Sequence, residues 1–164
     1  MAVFLTGTQL IALEEDGTYK ETVFLDVIGE AYIPIAFKAA AAADPSAKLY
    51  YNDFNLEYGE EKTAAAVKLV KMVKKAGAKI DGVGFQGHFA LDELPAAEDM
   101  ANSLRSLTDL GVDVAYTEMD VRIKMPSSQQ KLQKHAAGYA ALAASCLMVP
   151  RCVGITIWVR LDFW

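Results

Sequence analysis

The sequence predicts an α/β fold of about four βα units with parallel strands, and three observations lead there. Short apolar or β-branched runs alternate with helical patterns, so crossover helices join the strands, and crossovers imply parallel pairing. Asn52, Gln86, Glu118 and Trp158 each close a strand and lie 34, 32 and 40 residues apart, the lengths of βα units. At 164 residues the chain falls short of the roughly 200 that a full eight-fold β/α barrel needs at its lower limit, so it holds half a barrel's worth of units.

In chain order, Val3 to Leu5 is apolar and able to act as a substitute strand. A helix is expected from about Glu30 to Ala43, with Pro34 in or near the opening turn, where its missing N–H is tolerated. Leu49 to Tyr51 is a short strand running into the polar cluster Asn52-Asp53-Phe54-Asn55. Thr63 to Lys75 places Ala66, Leu69, Val70 and Val73 at helical spacing, with lysines opposite and Gly77 as the stop. Ile80 to Phe85 reads as a buried strand ending in Gln86-Gly87-His88. Ala97 to Leu110 is helical, with Met100, Leu104, Leu107 and Leu110 inward. Val112 to Thr117 is a strand ending in Glu118-Met119-Asp120; Gln129 to Leu147 is a helix, and Val153 to Trp158 the last strand. Polar and aromatic strand ends then gather on one rim, the side where α/β proteins bind ligands.

Composition narrows the classes. With 53% hydrophobic residues the chain is able to bury a core, and a net charge of -5 without a basic block argues against a nucleic-acid partner. No apolar run is long enough to span a membrane, and the N-terminus lacks the features of a secretory signal. His88 and His135 lack the spacing of a metal site, and no metal or cofactor is expected. Gly82 and Gly84 lack the further residues of a phosphate loop.

Glu118 and Asp120 carry the strongest local signal. Residues i and i+2 of a strand face one side, and a carboxylate pair supports glycosidic-bond chemistry; the plainer reading is two solvated carboxylates at a strand end. His88, closing the neighbouring strand, either hydrogen-bonds Glu118 or caps a backbone group. His135, in a lysine-rich helix, is expected on a solvated face. Asn52, Asp53 and Asn55 suit either sugar hydroxyls or an Asx-type turn. Trp158 and Trp164 suit sugar stacking or the core. Cys146 and Cys152 read equally as a small-loop disulfide or two buried thiols.

Taken in order, the segments Glu15-Asp-Gly-Thr-Tyr19, Ala43 to Tyr50, Asn52-Asp-Phe-Asn55, Ile80-Asp-Gly-Val-Gly84, Gln86-Gly-His88, Thr117-Glu-Met-Asp120 and Cys146 to Trp158 resemble the C-terminal half of the glycoside hydrolase family 10 xylanases. The resemblance implies a partial (β/α)8 TIM barrel, strands five to eight, with residues 13–164 as that half and 1–12 as a divergent N-terminal segment. It casts Glu118 as the nucleophile of a retaining endo-β-1,4-xylanase acting on xylan or xylo-oligosaccharide. His88 and Asp120 become the support that positions Glu118 and keeps it ionised. Asn52, Phe54, Gln86, Trp158 and Trp164 become substrate-binding residues, with Phe54 where the family usually has tyrosine. It also implies a Cys146–Cys152 bridge and a secreted protein, although this chain shows no signal.

The departures matter as much. The family carries its acid/base glutamate in a Trp-x-x-x-Asn-Glu-Ala motif, and alignment back from Leu13 puts Leu10 at the asparagine and Ile11 at the glutamate. Glu14 and Glu15 match a surface stretch instead. The expectation is therefore a truncated and impaired xylanase with self-association through unpaired barrel edges. The alternatives are a non-catalytic xylan-binding remnant or a partial gene product without independent function.

Overall fold

The computed structural model describes residues 2–5, 12–59 and 61–158. Strand β1 (Ala2–Leu5) precedes helices α1 (Val23–Ile28) and α2 (Tyr32–Ala43). Strand β2 (Lys48–Asp53), a 3-10 turn (Leu56–Tyr58) and α3 (Glu61–Lys75) come next, then β3 (Gly82–Phe85) and β4 (His88–Ala90). Helix α4 (Ala97–Thr108), β5 (Asp113–Arg122), α5 (Gln129–Leu147) and β6 (Cys152–Ile157) complete the order. Every pair in the six-stranded sheet is parallel, in the order β1-β2-β3-β5, with β4 and β6 also on β5. The fold is a partial barrel of parallel strands with alternating helices.

The helices form where the apolar period predicts them. Ala66, Leu69, Val70 and Val73 of α3 are fully buried, and Lys74 and Lys75 fall in its last turn, where cations favour the helix dipole. Met100, Leu104 and Leu107 of α4 are equally buried. Each such side chain contributes about 1.5–3 kcal/mol by leaving water. Ser128 caps α5, its hydroxyl accepting from the Lys131 N–H at 3.2 Å.

Several bounds differ from expectation. The strand over Leu49 to Tyr51 continues to Asp53, so Asn52 and Asp53 are ladder residues rather than a turn. The strand expected to end at Thr117 runs on to Arg122, because a further segment, His88–Ala90, pairs with its upper half. Helix α2 starts at Tyr32, with Pro34 in its first turn, and α1 before it is an addition to the expected elements. His135 is not on a solvated face: its Nε2 lies 2.8 Å from the Val121 carbonyl and its ring packs edge-on against Tyr139. The apolar segment Val3 to Leu5 does form a strand, pairing with Leu49 to Tyr51. Among the described residues no helix is long and apolar enough to cross a membrane.

One irregularity sets up the rim. From Phe85↔Tyr116 to His88↔Asp120 the chain takes three steps on one side and four on β5. On the other side, Tyr116↔Ile155 to Met119↔Ile157 takes three steps on β5 against two on β6. Both neighbours thus see one extra residue in β5 between Tyr116 and Met119, a β-bulge, which re-aims side chains. Below it Val114 and Tyr116 face the helices; above it Met119 and Val121 do. Thr117 and Glu118, although consecutive, both turn toward Asn52.

Candidate active site

Five side chains from three strands meet at the C-terminal rim. Asn52 of β2 donates through Nδ2 to Glu118 Oε1 at 3.1 Å, and its Oδ1 accepts from Thr117 Oγ1 at 2.6 Å. The Thr117 bond fixes which end of the amide faces Glu118, since a hydroxyl donor selects the oxygen. His88 of β4 stands on the other side, with Nε2 3.5 Å from Glu118 Oε2 and Nδ1 2.9 Å from Asp120 Oδ2. An ionised Asp120 only accepts, so Nδ1 is the donor in that bond. Glu118, Asp120 and His88 are each partly exposed, open to a ligand from the rim.

Beside this row a cleft of about 480 Å³ is lined by Phe54, Asn55, His88, Asp120, Arg122 and Trp158. Trp158 is half exposed, and its backbone N–H donates to the Met119 carbonyl at 3.0 Å, tying the end of β6 to β5. One face of the Phe54 ring is taken: the Lys62 ammonium lies 3.5 Å from its centroid. Lys62 also lies 3.3 Å from buried Asp53, which accepts from the Tyr51 hydroxyl and from the Phe54 N–H at 2.8 Å. Burial raises the Asp53 carboxyl above its ordinary value, against the Tyr51 and Lys62 contacts that pull it down.

The structure links Asn52, Glu118, His88 and Asp120 into one row of contacts, in that order, and puts Phe54 and Trp158 on the same cleft as His88 and Asp120. Gln86 contributes through its backbone, whose carbonyl accepts from the Glu118 N–H at 3.0 Å; its side chain is buried. Trp164 and Ile11 lie outside the described residues. Cys146 and Cys152 are bridged, fastening the end of α5 to the start of β6. Sequence reasoning passed over Arg122, which shares the cleft, and Thr117; the i, i+4 relation of Arg122 to Glu118 on one strand face was the available signal.

Parallel β/α units whose carboxylates and imidazole gather on the C-terminal rim place the molecule among the β/α-barrel proteins with a site at that rim. The sequence model of Glycosyl hydrolase family 10 matches residues 11–163, and the chain belongs to that family. It is 54% identical over 154 residues to Endo-1,4-beta-xylanase A of Fusarium oxysporum f. sp. lycopersici, a match covering 90% of this chain and 47% of that protein. Endo-1,4-beta-xylanase 1 of Gibberella zeae is 53% identical, with coverages of 90% and 44%. Among solved structures, the GH10 xylanase from Bispora sp. MEY-1 with xylobiose superimposes with a TM-score of 0.85 at 38% identity, covering 90% of this chain and 46% of that one. The chain thus spans less than half the length of these relatives.

Proposed function

We propose that this chain carries the nucleophile side of a retaining endo-β-1,4-xylanase site, and that Glu118 is the nucleophile. The observation that carries the reading is the Glu118 carboxylate held between the Asn52 amide and the His88 imidazole at a parallel strand end. In the proposed step a Glu118 oxygen attacks the anomeric carbon of a xylosyl unit. The bond to the leaving oxygen breaks, that oxygen takes a proton from an acid, and a glycosyl ester forms that water then hydrolyses. Trp158 and the free face of Phe54 are suited to flanking the sugar rings, and Asn52 to orienting the carboxylate. Xylose-bearing ligands on similar structures, xylobiose among them, support xylo-oligosaccharide as the ligand.

Ile11 at the position matching the acid/base glutamate is unable to donate a proton, and general acid catalysis is worth about 10²–10⁴-fold. The proposal is accordingly of impaired turnover by this chain alone. An activated 2-fluoro xylobioside with a dinitrophenolate leaving group needs little acid help, so it is expected to ester-link to Glu118, visible as a xylobiosyl mass gain absent in Glu118→Ala. A mass gain that persists in Glu118→Ala would overturn the nucleophile assignment. Hydrolysis of unmodified xylan at a normal family rate, abolished by Glu118→Ala, would overturn the impairment.

A binding role without turnover is the second reading, favoured by the half-exposed Trp158 on a cleft shared with Phe54. It expects xylohexaose to raise the melting temperature equally in the wild type and in Glu118→Gln, with no product. Self-association belongs to the same proposal. β1 and β6 each pair on one side only among the described residues, and Val153, Ile155 and Ile157 of β6 are exposed. Sedimentation is expected to show dimers; a monomer at all concentrations would remove the self-association claim.

A further inference from the structure

Glu57 lies in the 3-10 turn after β2 and is 1% exposed, yet its side chain makes none of the rim contacts above. Its main chain is pinned to the outer helices. Thr63 Oγ1 of α3 donates to the Leu56 carbonyl at 2.7 Å, and Ser103 Oγ of α4 to the Glu57 carbonyl at 3.1 Å. The side chain reaches the turn between β3 and β4, where Oε1 accepts from the Gly87 N–H at 2.6 Å. Oε2 is buried with no hydrogen-bond partner among the described residues. Burying a carboxyl so incompletely satisfied costs stability, so the reason for it is to be sought in what Oε1 holds.

What Oε1 holds is the Gln86–Gly87 peptide, and the carbonyl of that same peptide accepts from the Glu118 N–H at 3.0 Å. The following peptide repeats the pattern, with the Gly87 carbonyl accepting from the Asp120 N–H at 3.0 Å. Gly87 has φ +77°, and a Cβ there would sit 3.3 Å from Met119 Cα and from the Tyr116 ring, so the turn lies flat on the bulge. His88 follows directly.

We propose that Glu57 is a positioning residue for Glu118 and His88: anchored on α3 and α4, it fixes the Gln86–Gly87 peptide and thereby sets where the Glu118 backbone and the His88 ring lie. The inference rests on Glu118 being the reacting carboxylate, but the placement it describes is measurable without turnover. Burial lifts Glu57 to about 7, against the Gly87 N–H, which favours the charged form. The titratable groups facing it are Asp53 of β2, Lys62 of α3, Tyr58 of its own turn and Tyr116 of β5.

The test uses imidazole ¹⁵N spectra of the whole chain, in which His88 and His135 are the only histidines and His88→Gln assigns the signals. At pH 8 the wild type is expected to show the Nδ1–H pattern for His88. Glu57→Gln, whose amide oxygen still accepts from Gly87, is expected to keep it. Glu57→Met, of similar size but without an acceptor, is expected to lose it toward the Nε2–H pattern of a free imidazole while still melting cooperatively. A folded Glu57→Met with the wild-type His88 pattern would mean that Glu57 only stabilises, and would overturn the proposal. Should Glu57→Met not fold, amide shifts of the wild type between pH 5 and 8 decide. The Gly87 and Glu118 amide protons are expected to move together with a midpoint near 7, a movement absent in Glu57→Gln. Movement at Gly87 alone would overturn it. Failure of the Glu118 labelling with these results intact would remove the catalytic reading and leave the positioning one.

Discussion

Asn52 touches Glu118 at 3.1 Å although their strands are not neighbours: β3 lies between them. The amide crosses above Gly84, the residue paired with Asn52 on one side and with Ala115 on the other. A Cβ on Gly84 would lie 2.2 Å from Asn52 Oδ1 and 2.8 Å from Thr117 Cγ2. The missing side chain is therefore what lets an amide on β2 orient a carboxylate on β5. Gly82 makes room in the same way a layer lower, where its Cβ would lie 2.0 Å from Tyr50 Cε1.

Gly84→Ala is accordingly expected to push Asn52 off Glu118. The variant should lose about 1–3 kcal/mol from overpacking, read by chemical denaturation. Labelling by the activated fluoro-xylobioside should slow on the order of 10- to 100-fold, since small misplacements of reacting groups cost that much. A normal labelling rate would show that the amide does not orient Glu118.

Lys62 is expected to be needed more by Asp53 than by the Phe54 ring it faces. Both members of the Lys62–Asp53 pair are buried, so Lys62→Met leaves a buried carboxylate without its cation and should cost about 3 kcal/mol near neutral pH. Asp53 already titrates above its ordinary value, and loss of Lys62 raises it further. Its protonated form is the better tolerated, so the deficit against the wild type should shrink as the pH falls through the Asp53 value. Denaturation curves at pH 4 and pH 7.5 read this difference.

Glu57 predicts a pH dependence of definite sign. Its value rises from 4.5 in the unfolded chain to about 7 in the fold, so its contribution is fully present below pH 4.5 and is lost as the pH rises through 7. A shift of that size corresponds to about 3 kcal/mol. The stability of the wild type relative to Glu57→Gln should therefore fall by that order between pH 4.5 and 7 and then level off. A constant difference over this range would refute the protonated buried state.

The Cys146–Cys152 bridge closes a short loop, with a sequence separation of 6. Chain entropy assigns such a loop about 2 kcal/mol. Reduction, or the double change to alanine, should lower stability by that order while leaving the His88 imidazole pattern unchanged, since the bridge holds the start of β6 and the His88 contacts lie at the other end of the sheet. A changed pattern would show that β6 positions more than Trp158.

Much of this architecture was legible in the sequence because burial imposes a period. The faces of α3 and α4 follow from their apolar spacing, and α5 has the bounds expected of it, Gln129 to Leu147. The Glu118, Asp120 and His88 cluster followed from strand ends sharing one rim. What escaped the sequence has no period. His88–Ala90 is too short to show alternation. Glu57 looks like one more acid in a polar stretch until the 3-10 turn buries it. His135 sits among lysines, yet its ring reaches the Val121 carbonyl. Gly84 resembled a weak nucleotide signal, and its meaning is the atom it lacks.

The bulge in β5 means that the two halves of that strand are read in different phases. Below it, apolar positions fall on Val112, Val114 and Tyr116; above it, on Met119, Val121 and Ile123, as though the alternation had skipped a beat. Substitutions leave that timing intact, whereas loss of one residue at Thr117 or Glu118 would remove the skipped beat, leaving one side chain instead of two between Tyr116 and Met119 on the cleft face. For this segment, residue count is a stricter constraint than residue identity.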